Sequence, residues 1–385
     1  MKEFKSILSE FDKLDLSVRK AALATVVQVR GSSYRSPGAR MLITDDGKWV
    51  GSISGGCLEG DALRQARQVM MDGIPLTVTY DTREESNQNL GISLGCNGVI
   101  DVLIEPLDQR DGLDSIRTFR EVTAHRSSVA LATIFGGPQQ HKGKKILLSE
   151  EGVVLSNLAD DNLKAILTDD LQNLFHQRVS QARSYTTKET TYEVFVELIQ
   201  PNISLIIFGG GFDSRPVSRL AKVMGWEVTV TDECVAHIAP LFFPTADRLS
   251  LCQRAYVDRD FQITANTACV LMSHNYEYDR DVLKKLLKSK APFIGILGPR
   301  KRFDKMQAEY LEEGIILSDA DLERIHSPVG LDIGAEAADE IAVSIIAEIQ
   351  SKFAHREGGS LRDRSGPIHS RDAESDQVIK QLFAN

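Results

Sequence analysis

The amino-acid sequence predicts an α/β protein: a C-terminal Rossmann-like parallel sheet preceded by a separate N-terminal α+β domain. At 385 residues the chain is long for a single core, so two domains are expected. From Ile203 onward, continuous apolar strands alternate with amphipathic helices, the pattern of a parallel sheet covered on both faces. A turn of three glycines, Gly209 to Gly211, then separates the first of these strands from its helix.

The elements follow in order. In "MKEFKSILSEFDKLDLSVRK" the apolar residues Phe4, Ile7, Leu8, Phe11 and Leu14 have helical spacing, and charges throughout argue against a signal peptide. "AALATVVQV" reads as a buried strand, and "ARMLIT" and "KWVGSI" as strands joined by a turn at Asp45-Asp46-Gly47. Leu58, Ala62, Leu63, Ala66, Val69 and Met70 mark a helix, followed by strands "PLTVTY" and "GVIDVLIEPL". Between those two strands runs a long polar connection, "DTREESNQNLGISLGCN". Residues 112 to 200 alternate between helix and strand patterns, clearest in "SVALATIF", "DDNLKAILTDDLQNLFHQRV" and "TYEVFVELI". After Gln200-Pro201-Asn202 come strand "ISLIIF", helix "SRPVSRLAKVMG", strands "EVTVTD" and "ACVLMS", helix "YDRDVLKKLLKS" and strand "PFIGIL". The expected domains are therefore 1–200 and 201–352, with 353–385 a polar, mobile tail carrying one short helix at its end.

A formal charge of −9 argues against bulk electrostatic binding to nucleic acid or to an anionic membrane. No apolar run approaches the roughly 18 residues a membrane helix needs, and five cysteines without tight spacing make no disulfide framework. The expected compartment is the cytoplasm, and a homodimer is the default assembly.

Two loops in the first half concentrate chemical groups. "RGSSYRSPGAR" interleaves Arg30, Arg35 and Arg40 with Ser32, Ser33, glycine and proline. Guanidinium and hydroxyl groups among glycines form a cradle for phosphate or another planar anion; the same residues also suit a long hairpin turn with solvated arginines. In "SISGGCLEG", Gly55 and Gly56 open a turn and Cys57 stands at or near a helix N-terminus, a position that favours a thiolate. Cys96 in "ISLGCNG" lies between glycines that allow close approach. Both cysteines also fit small, buried, inert residues, and no His/Cys cluster makes a zinc site of them.

In the second half, "LIIFGGGFDSRPVSRLAKVMGWEVTVTD" sets Gly209, Gly210 and Gly211 where a backbone without Cβ meets a diphosphate at a helix N-terminus. Asp232 ends the next strand, in place to bond a ribose hydroxyl. Two departures weaken the pattern. Ser214 replaces the third glycine, and Asp213 brings a negative charge that caps the helix but repels phosphate. An NAD(P)-dependent oxidoreductase is one reading, with His274 or His237 as candidate acid/base groups; a scaffold without its nucleotide, or with a different ligand, is the other.

The segments "GSSYRSPGARMLITDDGKWVGSISGGCLE", "LGCNGVIDVLIEPL", "LIIFGGGFDSRPVSRLAKVMGWEVTVTDE", "FIGILGPRKR" and "IHSPVGLDIGAEAADEIAVSIIAEI" resemble the XdhC/CoxI family of xanthine dehydrogenase accessory proteins. That resemblance implies a two-domain protein that binds molybdenum cofactor (molybdopterin), protects it during sulfuration by a cysteine desulfurase and delivers it to a xanthine dehydrogenase-type apo-molybdoenzyme. It implies a chaperone without turnover of its own. In that setting Arg30, Arg35 and Arg40 with Ser32 and Ser33 are expected to hold phosphate and pterin, Gly55 and Gly56 to border the bound cofactor, and Cys57 and Cys96 to sit near the molybdenum or carry sulfur. Pro299 departs from the Gly-Ser-Arg expected in "FIGILGPRKR" and removes a hydroxyl and a backbone donor.

Overall fold

The computed structural model describes residues 2–83, 98–107, 114–124, 127–187 and 190–365, and the backbone of 379–381. The chain divides into two compact units, Glu3–Pro201 and Asn202–Ser365, the first also taking in the strand Ile379–Gln381.

The first unit holds two sheets. One consists of β1 (Ala21–Gly31), β2 (Arg40–Thr44), β3 (Trp49–Gly51), β4 (Leu76–Asp81) and β5 (Gly98–Pro106), antiparallel in the order β3-β2-β1-β5-β4. The other consists of β6 (Val129–Gly136), β7 (Lys145–Ser149), β8 (Val154–Ser156), β9 (Gln181–Thr187) and β10 (Thr190–Ile199). Its order is β9-β10-β6-β7-β8, and Ile379–Gln381 adds parallel to β9 as an edge strand, where the sequence predicts a short helix.

Helix α1 (Lys2–Phe11) buries Phe4, Ile7 and Phe11, as its spacing requires, alongside Phe119 of α3 (Ser115–Ala124). Helix α2 (Glu59–Asp72) covers the outer face of the first sheet through Ala62, Ala66, Val69 and Met70. The outer face of the second sheet is covered by α4 (Asp161–Gln177), whose Leu163, Leu167, Leu171 and Leu174 recur every three or four residues and are fully buried. Each such leucine contributes about 1.5–3 kcal/mol by leaving water. The inner faces meet through Val27 and Leu103 of one sheet and Phe135, Ala182 and Phe195 of the other. Strands β1, β5, β6 and β10 are thus covered on both sides, which is why they read as largely apolar runs interrupted by a few charged or polar residues.

Two buried ion pairs also cross between the sheets. Arg40 of β2 pairs with Glu197 of β10, and Lys145 of β7 with Glu105 of β5.

The second unit is a six-stranded parallel sheet. Its strands are β11 (Ser204–Phe208), β12 (Glu227–Asp232), β13 (Arg248–Leu251), β14 (Thr267–Leu271), β15 (Phe293–Ile296) and β16 (Ile325–His326), in the order β13-β12-β11-β14-β15-β16. That is the Rossmann order, reversing direction between β11 and β14. Helices α5 (Ser214–Val223) and α9 (Ala338–Phe353) cover one face; α6 (Val257–Asp260), α7 (Tyr276–Leu286) and α8 (Arg300–Glu312) cover the other. The short strands β13 and β16 have no counterpart in the sequence-based prediction, since four and two residues carry too little pattern.

Candidate functional site

In the first unit, the chain leaves β3 at Gly51 and runs through Ser52–Leu58 into α2. Gly55 and Gly56 both take left-handed backbone, at φ +112 and +124, so the turn requires glycine at each. The loop closes around one carboxylate, that of Glu59. Its Oε1 accepts from Ser52 Oγ at 2.7 Å, Ile53 N at 3.1 Å, Ser54 N at 3.0 Å and Gly55 N at 3.3 Å. Its Oε2 accepts from Ser54 Oγ, from Gly56 N at 3.0 Å and from Leu58 N at 3.2 Å. Burial by itself disfavours the charged form of Glu59, yet the hydroxyls of Ser54 and Ser52 and the loop amides outweigh it, holding its pKa at about 2.

This corrects one expectation. The amides of Gly55 and Gly56 do not face a guest; they turn inward to Glu59. What the loop presents outward is the exposed backbone of the two glycines and the half-buried Cys57, immediately ahead of Leu58 at the N-cap of α2. Cys57 contrasts with Cys252 and Cys269, both sealed in the second unit's core. Burial pushes the Cys252 thiol up to about 12, and the Cys269 thiol is pushed up as well.

The arginine loop borders this turn. A Cβ placed on Gly55 would lie 2.8 Å from Cδ1 of Tyr34, so the tyrosine ring rests on the Gly55 backbone. A Cβ on Gly98, at the start of β5, would lie 2.6 Å from Ser32 O, so that strand end packs against the same loop. Ser32 and Arg35 are exposed, and the Ser33 hydroxyl is buried with no hydrogen-bond partner among the described residues.

The three arginines do not converge, which is the second correction. A β-bulge between Val26 and Gln28 reverses the alternation of β1, so that Val29 packs under α2 and Arg30 points to the opposite face. There it is captured by the buried carboxylate of Asp101, at 3.0 Å, and by Gln28 Oε1 at 3.1 Å. Arg40 is buried outright: it pairs with Glu197, donates to Gly38 O at 2.7 Å, and lies over the rings of Phe4 and Phe119. Arg35 stays at the surface without such a carboxylate partner among the described residues, near Glu3, whose pKa is raised by burial against the opposing pull of Arg40 and Arg35. Cys96 lies outside the described residues.

In the second unit, Gly209 (φ +119) turns the chain out of β11, where a Cβ would lie 2.5 Å from the Ser273 backbone. Both oxygens of Asp232 are already engaged. Oδ2 accepts from Gly210 N at 2.9 Å and faces His237 Nδ1 at 3.1 Å, while Oδ1 accepts from Cys234 N at 2.8 Å. The main chain at His237 lies over the turn, its carbonyl oxygen 2.4 Å from where a Gly210 Cβ would sit. Asp232 therefore fastens the glycine turn instead of standing ready for a ribose, a further correction. Asp213 occupies the N-cap of α5 but makes no side-chain capping bond; its carboxylate faces His274 Nε2 at 3.3 Å, beside Gly211. Ser214, fully buried, donates to Gly211 O at 2.7 Å in the place of a third glycine. With Asp232 and the Gly210 amide taken up by the chain itself, the residues do not fit the nicotinamide dinucleotide arrangement that the glycine pattern suggests.

Glu59 and Tyr34 are the residues that sequence reasoning missed. A carboxylate at the start of a helix, just after a Gly-Gly turn rich in serine, was the available signal for Glu59. Among the described residues no cluster of His, Cys, Asp or Glu has metal-binding geometry, and no helix is long and apolar enough to cross a membrane.

Residues 17–81 match the XdhC and CoxI family, and residues 205–349 match the XdhC Rossmann domain. A probable xanthine dehydrogenase subunit from Bacillus subtilis (strain 168) is 31% identical over 331 residues, covering 86% of this chain and 92% of that protein. The molybdenum cofactor insertion chaperone PaoD of Escherichia coli (strain K12) is 24% identical, covering 90% and 87%. A crystal structure of a xanthine dehydrogenase from Bacillus halodurans superposes with a TM-score of 0.73 at 28% identity, covering 94% of this chain and 98% of that one. Taken together, the two matching regions and the relative aligned over nearly its whole length show that this chain belongs to the XdhC and CoxI family.

Proposed function

We propose that this protein is an accessory factor in the maturation of a molybdoenzyme of the xanthine dehydrogenase type, holding molybdenum cofactor at the Ser32–Cys57 surface. The relatives, a molybdenum cofactor insertion chaperone among them, support an accessory role. The observation that carries the reading is Cys57: a half-buried thiol on a loop clamped by Glu59, next to the exposed Arg35 loop.

The residues present fit such a group. The Ser33 hydroxyl, without a partner among the described residues, and the exposed Arg35 guanidinium suit the phosphate of a pterin, and Cys57 offers a sulfur ligand or sulfur carrier. When bound, the cofactor would bring the molybdenum and its dithiolene. The protein's part is to hold and shield it. Micromolar retention needs about 8 kcal/mol, and one charge-assisted bond supplies roughly 1.5–3 kcal/mol. With Arg30 and Arg40 committed elsewhere, Arg35 therefore cannot hold the cofactor alone, and neighbouring contacts must share the task. Sulfuration by a cysteine desulfurase, transfer to the apo-enzyme, a homodimer and a cytoplasmic setting complete the proposal.

The test is denaturing extraction of the protein from a molybdate-fed host, followed by identification of oxidised pterin. Wild type should retain pterin and raise the activity of a co-produced molybdoenzyme; Cys57→Ser and Arg35→Ala should each reduce both. Absence of pterin from wild type, with no effect on the enzyme, overturns the reading.

A further inference from the structure

Resting on that reading, we propose that Tyr34 is an aromatic platform on which the flat heterocycle of a pterin-type ligand stacks. Tyr34 is 71% exposed, yet its ring is not loose in solvent. It lies on the Gly55 backbone, where a Cβ would come within 2.8, 3.1 and 3.3 Å of Cδ1, Cε1 and Cγ. Any other residue at position 55 would push the ring away and would also be strained at φ +112. Beneath the ring the backbone is fixed, because Gly55 N is bonded to the Glu59 carboxylate and to Ser52 Oγ at 3.1 Å.

The result is a π surface supported on one side by a rigid turn and otherwise largely exposed. Its chain neighbours are Ser33, whose buried hydroxyl has no partner among the described residues, and the exposed Arg35 guanidinium, and Cys57 lies two residues beyond the supporting glycine. A planar bicyclic heterocycle with an anionic arm meets all three chemistries: stacking on Tyr34, hydrogen bonding at Ser33 and charge pairing at Arg35.

The experiment titrates full-length protein with an oxidised 6-substituted pterin, following quenching of the pterin's own fluorescence, with inorganic phosphate as a separate competitor. Wild type should quench the pterin, Tyr34→Phe should retain that affinity, and Tyr34→Ala should weaken it roughly tenfold, as loss of an aromatic stacking partner does. Gly55→Ala should weaken it similarly with the tyrosine still present, and a melting curve checks that this variant folds. Equal affinity in wild type and Tyr34→Ala, alongside weaker binding in Arg35→Ala, overturns the platform and leaves the cofactor reading standing. No quenching by wild type at millimolar pterin, combined with no pterin on extraction, overturns both.

Discussion

Replacing Glu59 by glutamine tests the clamp at its centre. The variant keeps the volume of the side chain but turns one acceptor oxygen into an NH2 group facing N–H donors. Whichever way it lies, the amides of Gly56 and Leu58 or those of Ile53, Ser54 and Gly55 lose their acceptor. The pKa gives the magnitude. Lowering from 4.5 to about 2 corresponds to about 3 kcal/mol favouring the folded state at neutral pH. For a unit of this size that is roughly 6–12 °C in Tm.

The folded-state pKa is depressed, so this contribution is present in full above the unfolded value of 4.5 and is lost as the pH falls toward about 2. The stability gap between wild type and Glu59→Gln should be constant between pH 7 and pH 6, and by pH 3 it should shrink to about 1.4 kcal/mol. Urea titrations of both proteins at these pH values measure it. Equal stability at pH 7, or a gap that does not close in acid, would refute the assignment of Glu59 as an ionised clamp.

Other outcomes follow from the same geometry. Arg40→Ala should cost about 3–5 kcal/mol, because Glu197 is left buried and unpaired, whereas the double replacement Arg40→Met with Glu197→Leu should recover most of that loss in urea unfolding. Gly210→Ala forces a methyl group to within 2.4 Å of His237 O; it should destabilise the second unit by about 1–3 kcal/mol and leave Cys57 alkylation unchanged. In the folded protein iodoacetamide should modify Cys57 and Cys234 and spare Cys252 and Cys269 until denaturant is added, as read by peptide mass spectrometry.

Much of the fold is legible in local pattern. The helical spacing of Phe4, Ile7 and Phe11, the leucine stripe of α4 and the strand-glycine-helix register at Gly209 each follow from periodicity or from one backbone requirement. The site is legible in its parts but not in its directions. A β-bulge leaves no mark in an apolar run such as "AALATVVQV", yet it decides that Arg30 faces Asp101. Nor does an arginine announce a carboxylate waiting 157 residues away, as Arg40 finds in Glu197. Asp232 sits where a ribose ligand is expected, and only coordinates reveal that Gly210 and His237 have claimed it.

The Arg40–Glu197 pair also bears on how the chain can be cut. The stretch that matches the XdhC and CoxI family stops at residue 81, while the counter-ion of its central arginine is supplied by β10. A fragment trimmed to that stretch would lose Glu197 together with Phe4 and Phe119, the rings against the Arg40 guanidinium, and would leave the inner face of its sheet bare. Evolutionary module and autonomous folding piece therefore differ in extent here, and excision experiments should keep everything through Pro201 together.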